Sequence, residues 1–165
     1  FIKSSNQKEL DRISNIVVDK LFGNLSEKKI CILGFAFKAN TNDTRESPAI
    51  VICKNLIEEG GILQIYDPKV SESMIKENLN LISDQKENIN IDKGSFSIAK
   101  NIYEAIENTD AIIILTEWNE FKFLNWEKIS SLMRNPAWVF DTRSIVNLDE
   151  ASKFGINVWR IGSGL

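Results

Sequence analysis

Two short apolar runs constrain the fold more than anything else in the chain: "KICILGF", Lys29 to Phe35, and "AIIILT", Ala111 to Thr116. Neither alternates apolar with polar residues, as a strand with one wet face would. Strands that are apolar throughout are covered on both faces, which is the habit of parallel sheets flanked by helices. Helical patterns separate these runs from their neighbours, so the expectation is strand, crossover helix, parallel strand.

The rest of the chain extends that alternation. Leu10, Ile13, Val17 and Leu21 recur at helical spacing within Asn6 to Phe22, and Gly23 stands where a helix ends. After the first strand, Ser47 and Pro48 form an N-cap and first-turn pair. They open a helix from Ala49 to Glu59, stopped at Gly60-Gly61. Ile62 to Tyr66 reads as a strand closed by Asp67-Pro68, and Ser71 caps a short helix to Leu79. Asn80 to Gly94 is polar and aperiodic, an excursion that ends in a short strand at Phe96 to Ala99. Helices are predicted at Ile102 to Asn108, at Trp126 to Met133 with Asn125 as cap, and at Leu148 to Phe154. Strands are predicted at Trp138 to Asp141, "WVFD", and Ile156 to Ile161. The fold class is therefore α/β: a doubly wound, Rossmann-like parallel sheet of about six strands with helices on both faces.

Length and composition narrow the function. A chain of 165 residues, 43% hydrophobic and 26% charged, is long enough for one domain with its own core. A net charge of -3 gives no reason to expect nucleic acid or an acidic membrane as partner. No run has the length of a membrane span, and no leader pattern opens the sequence, so the reading is cytoplasmic. Histidine is absent, which removes the commonest general base and the commonest metal ligand. Cys31 and Cys53 lie inside apolar runs and read as buried, reduced thiols. With no carboxylate pair, cysteine cluster or serine–histidine set, the sequence offers neither a catalytic group nor a metal site. The first residue is Phe1, so a processed product or fragment is expected. The opening helix, residues 1–23, would then link the domain at 24–165 to a region upstream.

Ligands of an open parallel sheet bind beyond the carboxyl ends of its strands, where the strand order reverses. The loop after the first strand reads "GFAFKANTNDTRES". A dinucleotide fingerprint would place two more glycines after Gly34 and open a helix at once. Here Phe35, Ala36, Phe37 and Lys38 follow, and no helix starts before Ser47-Pro48. Such a loop is too long and bulky to cradle a pyrophosphate with backbone amides, so side-chain cations would have to hold it. Lys38 and Arg45 lie on this loop, and Arg143 follows the strand "WVFD". Taken singly, each is an ordinary solvated cation. Together, at one sheet edge, they suit a diphosphate, the arginines adding forked hydrogen bonds. Asp67 reads as a turn residue. Glu117 could touch a ligand, and Trp118 covers the edge of the core.

"ILGFAFKANTNDTRESPAI", "GILQIYDPKV", "AIIILTEWNEFKFLNWEKI" and "VFDTRSI" together resemble, in order, the C-terminal domain of nucleotide-sugar dehydrogenases. The resemblance covers nearly the whole chain and includes the "SNIVVDKLF" helix. "GFAFK", "DTRES" and "TEW" are most similar to the branch of the family that acts on UDP-glucose.

That resemblance implies an N-terminal NAD-binding domain and a central helical dimerisation region upstream of this domain. The whole enzyme would oxidise the C6 hydroxyl of UDP-glucose to a carboxylate, using two NAD and a cysteine thiohemiacetal or thioester step. The catalytic cysteine and acid/base groups would lie upstream, and neither Cys31 nor Cys53 falls in the family's cysteine motif. By position, Phe37, Lys38 and Arg143 match substrate-contacting residues, and Arg45 matches an arginine on the NAD side of the cleft. Thr142 stands where the family commonly has glycine, which restricts the backbone beside Arg143. The implied setting is a cytoplasmic homo-oligomer that supplies UDP-glucuronate for polysaccharide biosynthesis. By itself the domain would bind UDP-glucose without turnover. The rivals are a relative specific for GDP-mannose or a UDP-N-acetylhexosamine, and, from another class, a receiver-like signalling domain. The latter would need acids where Gly34-Phe35-Ala36 stands and an aspartate where Thr116 stands. An autonomous NAD-binding domain is argued against by the missing glycines.

Overall fold

The structure, a computed structural model, describes residues 2–80 and 94–162, with side chains from Asn6 onward. Six parallel strands form one sheet: β1 (Lys29–Leu33), β2 (Ile62–Tyr66), β3 (Ser95–Ile98), β4 (Ala111–Ile114), β5 (Trp138–Asp141) and β6 (Asn157–Arg160). Their order is β3-β2-β1-β4-β5-β6. The chain winds outward from β1 to β3, returns to the centre at β4, and winds outward the other way. The order therefore reverses between β1 and β4, as the α/β reading requires.

The helices are α1 (Ile2–Lys20), α2 (Pro48–Glu58), α3 (Glu72–Asn80), α4 (Ile102–Ile106), α5 (Trp126–Leu132) and α6 (Leu148–Lys153). Their starts follow the capping chemistry of the sequence. The Ser47 hydroxyl accepts the Ala49 N–H at 3.2 Å ahead of Pro48, and Asn125 accepts the Lys128 N–H at 3.1 Å. Asn101 and Asn147 cap α4 and α6 in the same way. At the end of α1, Gly23 takes φ +90° and its N–H returns to Val18 O at 2.9 Å.

The two central strands are the most buried. β4 is buried at every position, and β1 at all but Lys29. β2 and the edge strand β3 alternate instead. Ile52, Leu56 and Cys53 of α2, with Ile13 and Val17 of α1, close the core beside the sheet. The opening helix is thus packed onto the domain.

Both central strands stop two residues short of the sequence reading. At Gly34 the chain bends away with φ +99°, giving its N–H to Tyr66 O at 2.8 Å. The next two N–H groups turn to a side chain instead of a strand. β4 ends where the Thr116 hydroxyl reaches across to Ala36 O at 2.9 Å. A 3₁₀ turn at Asn119–Lys122, unpredicted, follows, with Phe121 buried beneath it. Most of the predicted polar excursion, residues 81–93, lies outside the described residues. Among the described residues, no helix is long and apolar enough to cross a membrane.

Candidate nucleotide-binding site

Register builds the site. Leu33 pairs with both Tyr66 and Ile114, Ile114 with Asp141, and Asp141 with Arg160. These residues form one row at the carboxyl edge, so the loops that follow them start side by side. The loop Gly34 to Ser47 and the loop from Leu115 flank the point of reversal, and the loop from Thr142 lies next to them.

Asp67 organises the first loop. Its Oδ2 accepts the N–H groups of Phe35 at 2.7 Å and Ala36 at 2.9 Å, and the Trp118 Nε1–H at 3.1 Å. Its Oδ1 accepts the N–H groups of Lys69 and Val70, which makes the predicted turn. The side chain is buried, and all these donors come from the protein itself. Phe35 and Ala36 are thereby turned inward, leaving Phe37 and Lys38 as the first exposed residues of the loop. Gly34 explains the single glycine. A Cβ there would lie 2.4 Å from Thr116 Cβ, so the glycine serves a chain crossing and not a phosphate. The Phe37 N–H closes the loop onto Asp43 O at 2.7 Å.

The predicted cations sit differently from one another. Lys38 is exposed and makes no hydrogen bond or ion pair with the described residues. Arg45 is 88% exposed, and its Nε and Nη2 grip both oxygens of Asp43 at 3.1 and 2.9 Å. These hydrogen bonds hold the Asp43 carboxyl down to about 2 and push the Arg45 guanidinium up. Arg143 is half-buried. Its N–H donates to Asp141 Oδ1 at 3.0 Å and its Nε to Leu115 O at 2.9 Å. Its Nη groups have no partner among the described residues. Thr142 keeps ordinary backbone angles and anchors the loop by donating its hydroxyl to Ile114 O at 2.6 Å. Its side chain therefore fits where the resemblance led us to expect glycine.

Glu117 joins the two loops. Its Oε1 accepts the Ala39 N–H at 3.2 Å, and its Oε2 lies 3.3 Å from Arg143 Nε. Beneath Arg143, the buried Asp141 accepts the Val146 N–H at 2.9 Å and faces Arg160 Nη2 at 3.4 Å. Leu115, Thr142 and Arg143 also line an open cleft of about 170 Å³, bordered by α1, the start of α2 and Ile161. Sequence reasoning brought Lys38, Arg45 and Arg143 to the same edge. It read Asp67 correctly as a turn residue but missed its hold on the first loop, and it missed the roles of Glu117 and Asp141; each is an acidic residue at or just past a strand's carboxyl end.

As a place for a dinucleotide, the edge fits only in part. The chain crossing at Gly34 and the inward turn of Phe35 and Ala36 leave no backbone cradle for a pyrophosphate. Arg45 offers an exposed guanidinium at the rim.

Fold and site together define a doubly wound α/β domain whose first loop at the switch point lacks the glycine-rich fingerprint and carries the exposed cations Lys38 and Arg45. The chain belongs to the UDP-glucose/GDP-mannose dehydrogenase family, whose UDP binding domain profile matches residues 31–148. It is 41% identical over 167 residues to UDP-glucose 6-dehydrogenase 2 of Arabidopsis thaliana, covering 97% of this chain and 35% of that protein. It is 40% identical over 159 residues to the UDP-glucose 6-dehydrogenase of Drosophila melanogaster, covering 95% of this chain and 33% of that one. The chain thus spans about a third of these curated relatives. Among solved structures, an NDP-N-acetyl-D-galactosaminuronic acid dehydrogenase from Methanosarcina mazei superimposes with a TM-score of 0.71 at 19% identity, over 94% of this chain and 29% of that one. A UDP-glucose dehydrogenase from Pyrobaculum islandicum gives 0.63 at 20% identity, over 93% and 29%. At these identities the structures speak to fold alone.

Proposed function

We propose that this chain is the UDP-sugar-binding part of an NAD-dependent UDP-glucose 6-dehydrogenase. The carrying observation is the span of Glu117, whose carboxylate touches both the residue after Lys38 and Arg143 at the point of strand reversal. Two cation-bearing loops are therefore held side by side by one carboxylate, which supports a shared anionic ligand between them. In this reading Lys38 and the free Nη edge of Arg143 hold the phosphates, and Phe37, 42% exposed, lies against the apolar part of the ligand. Arg45, at the rim, faces the cofactor side of the cleft.

The upstream part of the same protein would bind NAD, which accepts the hydrides, and would supply the catalytic groups. The domain's contribution is to bind and orient the nucleotide and to exclude water. The opening helix would connect it to that upstream part, in a cytoplasmic homo-oligomer serving UDP-glucuronate and polysaccharide biosynthesis. The roughly 40% identity to UDP-glucose enzymes supports the choice of sugar nucleotide. Steady-state kinetics of the full-length protein with NAD test it: turnover is expected with UDP-glucose. Preference for GDP-mannose or a UDP-N-acetylhexosamine would contradict the substrate, and absence of any nucleotide-sugar oxidation would contradict the function.

A further inference from the structure

Glu117 is an anion between two loops to which the proposed function assigns an anionic ligand, and that placement has a physical cost. A carboxylate beside Arg143 opposes a phosphate there by charge alone. Its geometry offsets that cost. Nε is the donor that Glu117 faces, and Leu115 O accepts the same Nε–H. The two Nη groups, the forked edge of the guanidinium, are left for a ligand. The other Glu117 oxygen accepts the Ala39 N–H, one residue beyond Lys38. The carboxylate is about one-third exposed, so its contacts are not core packing.

We infer that Glu117 is a positioning residue that couples the loop after β1 to the loop after β5, so that Lys38 and Arg143 meet an anionic ligand as one unit. The ligand part of this inference rests on the UDP reading above; the coupling itself does not. If Arg143 is lost, Glu117 loses one of the two contacts that hold it, and its grip on Ala39 loosens. A change on one loop is therefore transmitted to the other through a single side chain.

The test has two arms on the full-length protein. Without ligand, hydrogen exchange at the Ala39 amide is compared in the wild type, Arg143→Ala, Glu117→Ala and the double variant. Arg143→Ala and Glu117→Ala should each accelerate it, and the double variant should match Glu117→Ala. Glu117→Gln keeps an acceptor for Ala39 but not the charge facing Arg143, so adding Arg143→Ala to it should have no further effect. In the second arm, UDP and uridine binding are measured by calorimetry. Glu117→Ala should weaken UDP by about tenfold, the scale of one coupled contact, leave uridine unchanged, and add nothing in the Arg143→Ala background. Ala39 exchange indifferent to Arg143→Ala would overturn the coupling. UDP binding that is unchanged or tighter in Glu117→Ala would overturn the ligand part, that Lys38 and Arg143 meet the anion as one unit. A wild type that binds UDP no better than uridine would sink the UDP reading, while the exchange arm still decides whether Glu117 joins the loops.

Discussion

Gly34 and Thr116 cross so closely that a Cβ built on the glycine would lie 2.4 Å from both Thr116 Cβ and Thr116 Oγ1. The glycine also holds φ +99°, a conformation costly for any L side chain. The crossing fixes where the loop after β1 leaves the sheet, and hence where Phe37 and Lys38 begin. Gly34→Ala combines backbone strain with a clash against a buried neighbour, so it should cost about 3 kcal/mol or more. Urea denaturation measures it, and an unchanged midpoint would contradict the crossing.

Asp67 supports the same loop from below. Asp67→Ala would leave the Phe35 and Ala36 N–H groups and the Trp118 indole N–H without their acceptor. Each buried orphan costs about 1–3 kcal/mol, and neighbours do not add fully, so a loss of about 3 kcal/mol is expected. For a chain of this size that is a fall of about 6–12 °C in Tm. A melting temperature within a degree or so of wild type would show that water or relaxation replaces the carboxylate.

The first-loop glycine and the buried aspartate show what was legible in the sequence. Strand and helix positions followed from unbroken apolar runs and cap residues, because burial and capping act on residues near one another in the chain. The "AIIILT" run and the Ser47-Pro48 pair were enough for that. The carboxylates were harder. Asp67 reaches 32 residues back to Phe35, and Glu117 reaches 78 residues back to Ala39. Nothing local marks those partners. The legible signal was only that each acid follows a strand at the edge where register aligns the loops.

The Asp43–Arg45 clamp gives a pH prediction. The folded Asp43 pKa, about 2, lies below the ordinary 3.8, chiefly through the Arg45 side-chain hydrogen bonds. A depressed carboxyl pKa stabilises the fold above the unfolded value, and that contribution is lost as pH falls through about 2. The clamp should therefore stay closed across the neutral range, and Arg45→Ala should return Asp43 toward 3.8 in a carboxyl NMR titration. An Asp43 that titrates near 3.8 in the wild type would show that the clamp does not persist in solution.

Cys31 and Cys53 are fully buried, and burial pushes both thiols up. Neither should form thiolate at neutral pH, and maleimide labelling should proceed no faster than unfolding. Rapid labelling of either in the native protein would contradict the burial of β1 and α2 in the core.

The central claim is that side-chain cations at the switch point replace a glycine-rich loop in holding a diphosphate. Calorimetric titration of UDP and uridine into the wild type, Lys38→Ala and Arg143→Ala tests it most directly. UDP should bind far better than uridine. Each variant should lose about 1.5–3 kcal/mol toward UDP, the range for a hydrogen bond to a charged group, and almost nothing toward uridine. Equal affinities for UDP and uridine, or variants that bind UDP as tightly as the wild type, would contradict it.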